Sequence, residues 1–200
     1  MPIKNDREYR TVQPFKPAEG EEYTVSGYAS TFKPYVLFEN ADGSEKYIEE
    51  IDRNAFDTAD MTDVIMQYDH AGRVYARQSN GSLELTVDDN GLKVRADLSR
   101  SAGARDLYED IKAELITQMS FAFIVAEDEY SYNEARGEYR RYIKRIKKVF
   151  DVSAVSIPAN PTTEIGIDAR AGFEGYIEAR RLEEAKRDLH IRKIRLMTEV

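Results

Sequence analysis

Apolar and polar residues alternate through Leu83, Leu85 and Val87, and again through Leu92, Val94, Ala96 and Leu98, on either side of "DDNG". A period of two puts alternate side chains on one face, so "SLELTVDDNGLKVRADL" predicts a hairpin of two half-buried strands. The β-forming run "YTVSGYAST" (Tyr23 to Thr31) predicts an earlier strand, and "YVLFENADGSEKYIEEI" a hairpin turned by "NADGS". Asp52 or Asn54 can cap a helical turn in "DRNAFDTAD", after which "DVIMQYDH" returns to strand character and delivers His70 at its end.

The period then changes. Leu107, Tyr108, Ile111 and Leu115 recur at helical spacing in "SAGARDLYEDIKAEL", with Ser101 placed to cap that helix. Gln118 and Met119 lead into a strand, "QMSFAFIV". The stretch "EDEYSYNEARGEYRRYIKRIKKVFDVSAVSIPANP" predicts a hairpin turning near "NEARG", its second strand ending at Pro158 and Pro161. Many strands and one confident internal helix point to an α+β, mainly β fold: a closed or nearly closed β-barrel flanked by helices. Residues 1–20, charged and proline-bearing, predict a flexible N-terminal arm. Residues 21–165 form the domain. Residues 166–200 form an appended C-terminal helical segment, with Leu182, Ala185 and Leu189 at helical spacing; the stripe fails at Arg192, so a long coiled coil is not supported.

The 200 residues suit one globular domain, and 42% hydrophobic with 33% charged residues suits a soluble chain. Its apolar runs are too short for a membrane span, and the first residues have no signal-peptide core. A net charge of −8 argues against a nucleic-acid partner. The one basic cluster, Arg140 to Lys148, alternates with Tyr142, Ile143, Ile146 and Val149 and reads as a solvated hairpin arm, open to an acidic protein partner. No cysteine is present, which removes disulfides and thiolate chemistry. With two histidines, no HExxH and no Gly-rich phosphate loop, neither a metal nor a nucleotide cofactor is expected. The 37 acidic residues make any single carboxylate pair uninformative.

Acyl transfer remains. Ser120 sits inside an aromatic and aliphatic strand, where a hydroxyl is either a small residue in a tight place or a nucleophile. A serine nucleophile needs a base within hydrogen-bond reach. His70 lies at a strand end in the β-rich body, whereas His190 lies in the polar C-terminal helix. Ser153 and Ser156, in "DVSAVSIPANP", are rival nucleophiles on composition alone.

The order "GYASTF", "VIMQYDH", a helix leading into "MSFAF", then "FDVSAVSIPANP" resembles the phage prohead proteases over about Tyr23 to Pro161. These are capsid-maturation serine proteases related in fold to the herpesvirus assembly proteases. The resemblance implies a serine endopeptidase that needs no cofactor, acts inside the immature capsid in the host cytoplasm, and cleaves the scaffold part of the major capsid protein and itself. By position it makes Ser120 the nucleophile and His70 the general base. It places the orienting carboxylate at Asp151, just before "VSAV", where aspartate has one methylene less reach than glutamate. Asp69 is the fallback, although adjacent strand residues face opposite ways. The loop around Ser99 to Arg105 is the candidate source of oxyanion donors. The resemblance points to a homo-oligomer, with a dimer as one form, and to loss or rearrangement of the segment from about Ala171 on activation. A catalytically silent assembly or scaffolding protein is the alternative.

Overall fold

Two long strands organise the molecule. β9 (Gln118–Asn133) and β10 (Glu138–Val155) form an antiparallel hairpin through a turn at Gly137, which takes a positive φ of 61° that favours glycine. The computed structural model describes residues 7–156 and 166–198. The strand end expected at Pro158 and Pro161 lies outside the described residues; the last paired residue of β10 is Val155.

The outer edge of β10 is shared. Its first half pairs in parallel with β4 (Lys46–Ile51), and its last residues pair in parallel with β5 (Ile65–Tyr68). β3 (Tyr35–Glu39) joins β4, and β6 (Ala71–Arg77) joins β5, both antiparallel. On the other side of β9 come β1 (Glu8–Pro17), β2 (Thr24–Thr31), β8 (Gly91–Asp97) and β7 (Leu83–Val87), in that spatial order. The α+β, mainly β expectation stands, with α1 (Ala102–Lys112) and α2 (Gly166–Thr198) as the two α-helices among the described residues. A closing pairing for the expected barrel does not occur among the described residues. The sheet branches at β10 and leaves β3, β6 and β7 as edges.

Alternation sorts the two faces of β9. Met119, Phe121 and Phe123 enter the main core with Val152 and Ala154 of β10, Leu92 and Val94 of β8, and Leu107, Tyr108 and Ile111 of α1. Ser101 caps α1 by accepting from the Ala104 N–H at 3.1 Å. A second, aromatic cluster lies under α2, where Phe173, 1% exposed, meets Tyr47 and Tyr130 edge-on with centroids 5.2 Å away in each case. From Arg181 to Arg192 the same helix is exposed.

The expected flexible arm is corrected over residues 8 to 17, which form β1 between β9 and β2. Its polarity misled because two of its charges, on Glu8 and Arg10, are buried and paired. Arg10, 1% exposed, donates to Glu49 Oε1 at 2.5 Å and Oε2 at 2.7 Å, and to Glu8 Oε2 at 2.6 Å. Arg141 of β10 donates to Glu8 at 2.5 and 2.8 Å, to Glu49 at 3.0 Å and to Asp128 at 2.7 Å, and the Tyr35 hydroxyl also donates to Glu49. Burial raises the Glu8 carboxyl, but the Arg141 hydrogen bond and the Arg10 charge outweigh it and hold it below its usual range. Burial likewise opposes the charge on Arg10, and Glu49 more than offsets it.

Removing one member of such a network strands the others without water. Arg10→Met is expected to lower unfolding free energy by about 3–5 kcal/mol, read from the urea midpoint at constant slope. A loss under about 1 kcal/mol would mean that the cluster behaves like an exposed ion pair.

Candidate active site

β5 and β6 are joined by Asp69 and His70 alone, with Tyr68 paired to Ala71. Both central residues have positive φ, 47° and 56°, the pattern of a tight type I′ hairpin turn. Non-glycine residues hold that conformation only where surroundings fix it. Here the Asp69 N–H donates to the Ala154 carbonyl at 3.0 Å, and its carboxylate accepts from the Ser156 N–H at 3.0 Å and hydroxyl at 2.9 Å. The turn is thereby fastened to the end of β10, and it carries His70 over the face of β9 and β10 that points away from the main core.

Ser120 and Ser153 are register partners on that face. Asp151, two residues before Ser153, follows a register shift between Val149 and Asp151, so a β-bulge aims its side chain. The Asp151 carboxylate accepts from His70 Nδ1 at 2.6 Å, which places the imidazole proton on that nitrogen. Nε2 is then the acceptor for the Ser120 hydroxyl at 2.7 Å. Ser153 Oγ donates to the same Asp151 Oδ1 at 2.7 Å. Three groups from three separate places in the chain are therefore linked Ser120–His70–Asp151, with Ser153 bracing the carboxylate. Ser120 is 1% exposed, Asp151 3%, and the imidazole 16%. A linked hydroxyl, imidazole and carboxylate of this kind can make the serine oxygen a nucleophile and pass its proton onward.

The alternatives fall elsewhere. Asp69 and Ser156 engage each other, Ser153 is bonded to Asp151, and His190 lies exposed on α2. In the loop considered for oxyanion donors, Arg100 donates to the Asn80 carbonyl at 2.6 Å and Arg105 to the Ser99 carbonyl at 2.5 Å. Neither arginine has a hydrogen bond to Ser120 or His70 among the described residues. The basic cluster is largely neutralised across the strands: Arg145 by Glu127, Lys148 by Asp60, Lys144 by Glu129. Among the described residues, no helix is long and apolar enough to cross a membrane and no group of three or more His, Asp or Glu residues is arranged to hold a metal.

Sequence reasoning missed Tyr9. Its ring meets the His70 imidazole with centroids 4.6 Å apart and planes at 66°. Strand alternation from Glu8 onward would have put Tyr9 on the face of Ser120 had β1 been foreseen.

The chain matches the family of caudovirus prohead serine proteases over residues 8–175. No curated protein and no solved structure matches it. The match begins at the first residue of β1 and extends past the aromatic anchor of α2, so it spans the whole sheet and all three linked residues. This chain belongs to the caudovirus prohead serine protease family.

Proposed function

We propose that this family member is an active endopeptidase in which Ser120 is the nucleophile, His70 the general base and Asp151 the orienting carboxylate. The observation that carries this reading is the unbroken hydrogen-bond chain, 2.7 Å from Ser120 to His70 and 2.6 Å from His70 to Asp151. Ser120 Oγ attacks the scissile carbonyl while His70 Nε2 takes its proton. Asp151 holds Nδ1–H and stabilises the imidazolium that results. His70 then returns the proton to the leaving amine, and water, deprotonated by the same nitrogen, releases the acyl group.

The substrate is the scaffold part of the major capsid protein, cut inside the immature capsid, with the enzyme's own tail as a second substrate. Self-cleavage near Ala171 would detach Phe173 from its aromatic pocket, so loss of that tail costs packing as well as chain. A cut in the exposed length beyond Arg180 would leave Phe173 in place.

The test is reaction with a fluorophosphonate, on the free protein and on protein assembled with its capsid protein, followed by peptide mapping. A single adduct on Ser120 is expected, with shortened capsid protein in the assembled sample. Adducts on Ser153 or Ser156 would overturn the residue assignment. No adduct in either sample, and no shortening, would mark the chain as a silent assembly protein.

A further inference from the structure

The imidazole of His70 is held by hydrogen bonds at both nitrogens, which define an axis but leave the ring free to rock about it. The third contact lies off that axis, and it is the ring of Tyr9. Tyr9 pairs with Ala122 of β9, one row along the face from Ser120. Ala122 is 0% exposed although it stands outside the main core cluster, so the outer face is covered at this row. A methyl group there leaves room for an aromatic ring to lie across the strand.

Tyr9 is itself fixed. Its carbonyl accepts from Arg10 Nη1 at 2.9 Å, and its neighbours Glu8 and Arg10 are both locked in the buried charge network. A rigid support of this kind suits a residue that must hold another side chain still. No hydrogen bond of the Tyr9 hydroxyl occurs among the described residues, which leaves the ring as the working part.

We infer that Tyr9 is a positioning residue for His70, and that β1 is therefore part of the active site as well as part of the sheet. The inference rests on the proposed Ser120–His70 chemistry. The ring stops the imidazole from rocking and keeps Nε2 directed at Ser120. Displacement of a reacting group by about 1 Å can slow chemistry by about 100-fold. Tyr9 acts through the imidazole, the group its ring meets.

Fluorophosphonate inactivation of the full chain, resolved into its binding and bond-forming constants, tests this without a peptide substrate. Tyr9→Leu keeps an apolar side chain but loses the ring, and is expected to lower the bond-forming constant by about 10- to 100-fold with binding unchanged. Tyr9→Phe should recover the wild-type constant within about two-fold, since a ring of the same shape remains. Urea unfolding of each variant gives the folded fraction, to which the rates are normalised. Wild-type labelling by folded Tyr9→Leu would overturn the inference while leaving the proposed chemistry intact. A Tyr9→Phe rate as low as that of Tyr9→Leu would move the role to the hydroxyl and overturn it equally. If wild type is unreactive both free and assembled with its capsid protein, or Ser120→Ala is labelled as fast as wild type, the underlying chemistry fails and this inference falls with it.

Discussion

Ser120→Ala is expected to lower kcat for cleavage by about 10⁶-fold, the scale seen when a serine protease loses its nucleophile. The exchange removes one oxygen from a side chain that is 1% exposed and leaves the Asp151–His70 bond in place. Folding should hardly change, with the urea midpoint shifted by less than about 1 kcal/mol in free energy. Mass spectrometry of capsid protein coexpressed with each form gives the readout: shortened with wild type, full length with the variant. Equal shortening in both would show that Ser120 does not carry the chemistry.

Asp151→Asn carries the second large effect. The amide it introduces can offer an N–H to His70 Nδ1, which would move the imidazole proton to Nε2, the atom that must accept from Ser120. A swap of this kind in a Ser–His–Asp site lowers kcat by about 10⁴-fold with the geometry kept. Ser153 would still donate to the side-chain oxygen at position 151, so the bulge and the strand pairing should survive. The expected result is a fall in kcat with KM within a few-fold of wild type. A loss under about ten-fold would indicate that Asp151 helps pack the turn but does not set the tautomer.

The parts of this site that were readable in the sequence are those where one local rule suffices. Alternation gave the β7–β8 hairpin, helical spacing and Ser101 gave α1, and the order of "VIMQYDH", "MSFAF" and "DVSAV" pointed to His70, Ser120 and Asp151. What escaped depends on partners far along the chain. Glu8 and Arg10 look like solvent-facing charges until Glu49 and Arg141 are brought to them, and Pro14 and Pro17 argue further against a strand. β6 escaped because Gly72 and Arg73 break its alternation and only Ala76 of its residues is buried. The shorter reach of aspartate is met by a bulge and by a left-handed turn at His70, neither of which has a signature in the letters. Tyr9 was lost with β1.

The β9–β10 hairpin also bears on the order in which the site is assembled. Ser120 and Asp151 lie on its two arms and come together as the strands zip from the turn near Gly137, whereas His70 arrives only when β5 pairs in parallel with β10. Contacts near in sequence generally form before those that must close a long loop. With the roles proposed above, a newly made chain gains its nucleophile and carboxylate on one ribbon before its base docks. On that proposal, the enzyme cannot cut its neighbours or itself until β5 has docked.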